Sequence, residues 1–224
     1  ACIQSKVLNK VAEWRRRYQK PVVIDECCYE GNIQHIWGSI SGREMTYRFW
    51  RVVTMGGYCT HGETFLDPGR DVLWWSRGGR LKGESPARIA FLKKIVEELP
   101  GPIEPVESWI AKLAGMSDGE RQQYSQHAEP FVKAMLRMGD ELPDFYNSEF
   151  VYQGHCGEEA YLTFYDRRTC AEDILELPKT HTYRVELVDI WEMTRTVLLE
   201  NASGKIKLPL PGREGMAVLA VKTI

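Results

Sequence analysis

Asp25 and Glu26 directly follow the apolar run Val22-Val23-Ile24. A carboxylate at the end of a strand buried in a parallel sheet stands where such sheets collect their chemistry, and it can serve as acid, base or nucleophile. Tyr29 and Glu30 come next, and a second short stretch, Tyr58-Cys59-Thr60, ends in His61-Gly62-Glu63-Thr64, with Trp74 and Trp75 on the loop beyond. Aromatic rings stack on the apolar faces of sugars, and carboxylates and imidazoles hydrogen-bond hydroxyls, so the set suits a neutral, polyhydroxylated ligand. Glu26 is the candidate catalytic residue; Tyr29, Glu30, His61, Glu63, Trp74 and Trp75 are the candidate substrate-binding residues. Each has a structural alternative. An Asp-Glu pair after a strand also caps helices, a Trp pair also seals a barrel rim, and His61 also fits as a hydrogen-bonded loop residue. The convergence of two successive strand ends, both presenting acids beside aromatics, favours a site. A thiol nucleophile, Cys27 with His61, is a competing reading that alkylation would expose.

The elements that must position these residues follow from periodicity. Apolar residues at Ile3, Val7, Leu8, Val11, Trp14 and Tyr18 predict one helix over residues 3–19, its basic run Arg15-Arg16-Arg17 at the C-terminal end that the macrodipole favours. The continuously apolar residues 22–24 predict a strand buried on both faces. Residues 43–55 predict a helix with Met45, Phe49, Val52 and Val53 inward, and residues 58–60 a short strand. Ser85 as N-cap and Pro86 at the first helical position open a helix with Ile89, Leu92, Ile95, Val96 and Leu99 as its stripe, ended by Pro100-Gly101-Pro102. Alternating helices and strands build parallel sheets, and two strands cannot complete one. The expectation is the last part of a (β/α)8 TIM barrel over residues 1–102, a C-terminal fragment whose N-terminal barrel half is missing.

Residues 103–145 read as a more polar helical linker or flank. Beyond Pro143 the period becomes two, with strands around residues 150–152, 161–165, 183–190, 196–200, 205–208 and 216–221 and turns between them. Residues 146–224 are expected to form a small antiparallel β-sandwich, making the fold class α/β plus all-β. Its aromatics Tyr152, Tyr161, Tyr165 and Trp191 suit a core, although a non-catalytic carbohydrate-binding module would use the same residue types.

Composition narrows the partners. With 29 Lys and Arg against 31 Asp and Glu in 224 residues, the net charge of -2 gives no field toward nucleic acid or membrane. No apolar run reaches the roughly 20 residues of a membrane span. The six cysteines lack CxxC spacing and two are adjacent, against both a metal site and a disulfide framework. Phosphate-loop and dinucleotide fingerprints are absent from the sequence, so no cofactor is expected. Export or retention in the cell is undecided.

The runs Pro21-Val22-Val23-Ile24-Asp25-Glu26-Cys27-Cys28-Tyr29-Glu30-Gly31-Asn32, Tyr58-Cys59-Thr60-His61-Gly62-Glu63-Thr64, Leu73-Trp74-Trp75-Ser76 and Gly83-Glu84-Ser85-Pro86 together resemble the apiosidase-like, clan A glycoside hydrolases. Members are TIM-barrel enzymes that often carry an appended C-terminal β-sandwich, which residues 188–212 resemble. The resemblance covers nearly the whole chain and is strongest over residues 20–100. It implies that residues 22–24 are barrel strand seven, residues 58–60 strand eight, and Glu26 the nucleophile of a retaining O-glycosidase acting on an oligo- or polysaccharide. It further implies that the acid/base carboxyl comes from strand four, outside this chain, so that the chain alone is inactive while the parent protein is an active enzyme.

Overall fold

Val23, Ile24, Asp25 and Glu26 form strand β2 (Val23–Glu26), flanked in parallel by β1 (Cys2–Gln4) and β4 (Tyr58–Cys59) in the order β1-β2-β4. The computed structural model describes residues 1–67, 72–73, 80–106, 112–113, 116–138 and 151–223. Ile24 is fully buried, as a continuously apolar central strand requires. The crossover from β1 to β2 is helix α1 (Val11–Tyr18), and that from β2 to β4 contains α2 (Gly42–Thr54). The predicted helix over residues 3–19 is thus corrected. Its first residues pair with β2 as a strand, and Val7, assigned to the apolar stripe, is 54% exposed. Three residues with one partly buried Ile3 carry too little periodicity to outvote the helical spacing that follows them.

Between β2 and β4 the chain makes β3 (Glu30–Gly31) and a 3-10 turn at Ile36–Gly38; after β4 come β5 (Glu63–Thr64), β6 (Leu66–Asp67) and β7 (Val72–Leu73). β3 pairs in parallel with β5, and β6 pairs antiparallel with β7. Helix α2 is capped by Ser41, whose hydroxyl accepts from the Glu44 amide at 3.1 Å. It buries the predicted Met45, Phe49 and Val52, and also Tyr47 and Trp50. Those two aromatics meet Phe164 at centroid distances of 5.9 and 5.7 Å, so α2 is covered on a second side. Helix α3 (Ser85–Glu97) follows, with Leu92 and Ile95 buried.

Strand β8 (Glu104–Pro105), inside the stretch predicted to be helical, joins the edge of an antiparallel sheet instead. That sheet runs β13-β12-β15-β10-β9-β8, with β9 (Tyr152–Cys156), β10 (Ala160–Phe164), β12 (Tyr183–Asp189), β13 (Thr194–Ala202) and β15 (Met216–Lys222). A separate pair joins β11 (Glu172–Glu176) to β14 (Lys205–Pro209). The sequence reading missed β11 because its acidic residues flank Ile174, which is 53% exposed, so the alternation lacks an inward apolar partner. β9 lies against the end of α2 so closely that any side chain at Gly154 would meet the Thr54 carbonyl and Ile103, which makes glycine obligatory there.

Residues 1–105 and 152–224 form one compact unit. Besides the aromatic contacts it is tied by Arg51, which forks onto both carboxylate oxygens of Asp166 at 2.7 and 2.8 Å, and by Glu44, which also receives Arg48 and Arg167. Arg43 and Arg88 stack over Trp191 at 4.4 and 3.7 Å from its ring centre. Residues 106–151 form the second unit. Within it, α4 (Asp118–His127) starts with a Ser117–Glu120 capping box, α5 (Pro130–Leu136) follows, and Leu113, Met135 and Leu136 make a small core.

Candidate functional site

Glu26 is the last residue of β2, and its side chain is exposed at the C-terminal end of the three parallel strands. The end of β1 stands beside it: the Ser5 amide donates to the Glu26 carbonyl at 3.1 Å. Gln4, Ser5, Lys6, Glu26, Cys28, Tyr29 and Trp37 enclose a pocket of about 220 Å³ at this rim. The Tyr29 phenol is hydrogen-bonded to Glu26. Burial first, and then the hydrogen bond and negative charge of Glu26, push that phenol up to about 12, so it remains a donor throughout the neutral range. Trp37 fixes the tyrosine from the other side, with its carbonyl accepting from the Tyr29 amide at 2.8 Å and the rings meeting edge to face at 5.9 Å. A carboxylate held by a phenol beside an indole wall can attack or stabilise an electron-poor carbon of a ligand lying across the pocket.

The remaining candidates form a second, buried group. Glu30 is 3% and Glu63 7% exposed. Glu30 accepts from the Glu84 amide at 2.6 Å, the Ser85 amide at 3.1 Å and the Ser85 hydroxyl at 2.5 Å. Glu63 accepts from the Lys82 and Gly83 amides at 2.8 and 3.0 Å. Two carboxylates therefore take four consecutive amides at the start of α3, where the helix dipole favours negative charge. This corrects the cap assignment: Ser85 is fully buried and donates its hydroxyl to Glu30, while the capping oxygens come from β3 and β5. His61 lies 3.1 Å from the Ser85 hydroxyl and 3.8 Å from Glu63, and burial lowers its pKa.

Glu30, His61 and Glu63 each bring one ligand atom within 4.8 Å of the others, the spacing of a cation site. In the structure the two acids are spent on backbone amides, and the group's evident work is to anchor α3 to β3 and β5. The structure thus brings Glu26 and Tyr29 together, while Glu30, His61 and Glu63 gather around Ser85. Trp74 and Trp75 lie outside the described residues. Trp37, Gln4 and Lys6 were missed. Trp37 had a usable signal, an aromatic on the same strand-end loop as Glu26; Gln4 and Lys6 were hidden by the helical reading of their segment.

Cys27, assigned to the thiol reading, is 1% exposed and its sulfur faces Cys59 at 3.5 Å. The thiol thus has a sulfur partner where that reading needs the His61 imidazole, which is itself held by Ser85.

A family described as a domain of unknown function, DUF5605, matches residues 149–220. No curated protein matches the chain. Among solved structures, a protein from Bacteroides vulgatus ATCC 8482 described as a candidate glycoside hydrolase aligns with a TM-score of 0.70 at 24% identity, over 100% of this chain and 41% of its own. A second structure named glycoside hydrolase aligns at 0.58 and 12%, over 96% of this chain and 47% of its own. A glycoside hydrolase family 5 protein from the same Bacteroides strain aligns at 0.57 and 13%, over 96% and 45%. The chain has a glycoside hydrolase-like fold and spans less than half the length of each of these structures.

Proposed function

We propose that this chain carries the nucleophile of a retaining glycoside hydrolase of the apiosidase-like kind, acting on an oligo- or polysaccharide. The observation that carries the reading is Glu26 itself: an exposed carboxylate at the C-terminal rim of parallel strands, held by Tyr29 and walled by Trp37. In this reading β1, β2 and β4 are strands six, seven and eight of a TIM barrel, and the antiparallel sheets are its appended β-sandwich. Glu26 attacks the anomeric carbon, and a second carboxyl about 5–5.5 Å away protonates the leaving oxygen and later activates water. Tyr29 holds Glu26 in position, and Trp37, with Trp74 and Trp75, offers stacking surface to the sugar.

Among the described residues the outer edges of β1 and β4 have no strand partner, which supports a larger sheet. Parallel strands need cover on both faces and partners on both edges, and Tyr58 on β4 is 60% exposed. The pairing strands and the acid/base belong to a further part of the barrel. Glu26→Gln in the full-length polypeptide is expected to abolish turnover while sugar binding persists. Unchanged turnover removes Glu26 from the role, and hydrolysis of an aryl glycoside by the 224-residue chain alone contradicts the external acid/base.

A further inference from the structure

We infer that Cys27 and Cys59 form a redox-active dithiol that closes to a disulfide with small-molecule disulfides such as oxidised glutathione, cross-linking the two strand ends directly behind Glu26. Their sulfurs stand 3.5 Å apart, and both thiols are free. Reaching the ~2.05 Å of a disulfide brings the two sulfurs about 1.5 Å closer. Cys27 is buried, with the Met45 sulfur 4.0 Å on its other side, whereas Cys59 is partly exposed and gives the pair a route to solvent.

The surroundings favour one ionised sulfur. The contact with Cys59 and the nearby Arg48 guanidinium lower the Cys27 pKa against the effect of burial, and the same contact raises that of Cys59. Arg48 is held in place by donating to the Cys27 carbonyl at 2.6 Å. In the exchange, Cys59, the sulfur with access to solvent, gives up its proton and attacks one sulfur of the oxidant, releasing the first small thiol. The second cysteine then attacks the protein sulfur of the mixed disulfide and releases the other small thiol. Two protein thiols and one disulfide become one protein disulfide and two small thiols, so electrons and protons balance.

The position gives the chemistry a consequence. Cys27 follows Glu26, and β4 already grips the same strand end, with the Thr60 amide donating to the Ile24 carbonyl at 3.0 Å and the Thr60 hydroxyl to the Asp25 carbonyl at 2.5 Å. A covalent tie between Cys27 and Cys59 therefore fixes the backbone that carries the carboxylate. The inference does not depend on glycosidase activity.

The test equilibrates the full-length protein in glutathione buffers of graded poise, blocks free thiols by alkylation and maps peptides. Cleavage at Arg43, Arg48 and Arg51 separates the two cysteines. The expected result is a Cys27–Cys59 linked peptide that rises with oxidation, disappears with dithiothreitol and accompanies a reversible increase in melting temperature. Cys59→Ser should remove both, and if Cys27→Ser fails to fold the mapping of the unaltered protein decides alone. Recovery of both cysteines fully alkylated at every poise, or linkage of either one to Cys2, Cys28, Cys156 or Cys170, overturns the inference.

Discussion

At Glu26 the Tyr29 phenol is the neighbour whose interaction with the carboxylate can be tested by a single substitution. The Tyr29 hydroxyl is bound to the carboxylate, and a hydrogen bond to a charged group contributes about 1.5–3 kcal/mol. Tyr29→Phe should therefore lower turnover of the full-length protein by roughly 10- to 100-fold, with a small change in KM. An equal kcat for the two proteins would show that the phenol does not act on the proposed nucleophile. The phenol also carries a pH signature. The unfolded tyrosine ionises near 10 and the folded one near about 12, so the native state binds the extra proton in that window. Its stability must fall as pH rises from 10 toward 12, and Tyr29→Phe should flatten the alkaline limb of a melting-temperature profile. The place of Glu26 at a strand end was legible because it needs only the strand before it. The fate of Glu30 was not, since the residues that claim it, Glu84 and Ser85, are distant in sequence.

Helix α3 depends on carboxylates from other elements. Its N-terminus has no side-chain cap of its own, and Glu30 and Glu63 supply the acceptors. Glu30→Ala leaves the buried Ser85 amide and the part-buried Glu84 amide without their acceptor, at a cost of about 1–3 kcal/mol. Denaturant titration should show the lowered midpoint, and unchanged stability would mean that water replaces the carboxylate at no cost. His61 belongs to the same anchor. Burial keeps its folded pKa below the 6.5 of a free imidazole, so the unfolded state takes up its proton first as pH drops. The anchor is complete above pH 6.5 and loses stability as pH falls below it. Elements with one clear period were readable: residues 22–24 as a buried strand, α2 from its inward stripe. β1 and β8 were not, because strands of two or three residues owe their form to the partner they pair with.

The parallel and antiparallel sheets unfold as one body if the contacts at α2 carry the weight the geometry gives them. Trp50, Tyr47 and Phe164 are each fully buried, and Arg51 is locked to Asp166 beside them. Phe164→Ala should cost about 3–5 kcal/mol and loosen both sheets together, read as simultaneous loss of amide protection in β2 and β15. Protection lost in β15 alone would make the sheets separate domains. The sequence showed the change from helical to alternating pattern and hence both kinds of sheet. It did not show that α2 joins them, because Tyr47 and Trp50 fall off the stripe that faces the parallel strands.

The most direct measurement is to expose the full-length polypeptide to an activated 2-deoxy-2-fluoro glycoside, which traps the glycosyl-enzyme of a retaining mechanism, and to locate the sugar by peptide mapping. The expected result is a stoichiometric ester on Glu26. A label on Glu30, Glu63 or any other carboxylate, with Glu26 unmodified, would contradict the assignment of the nucleophile.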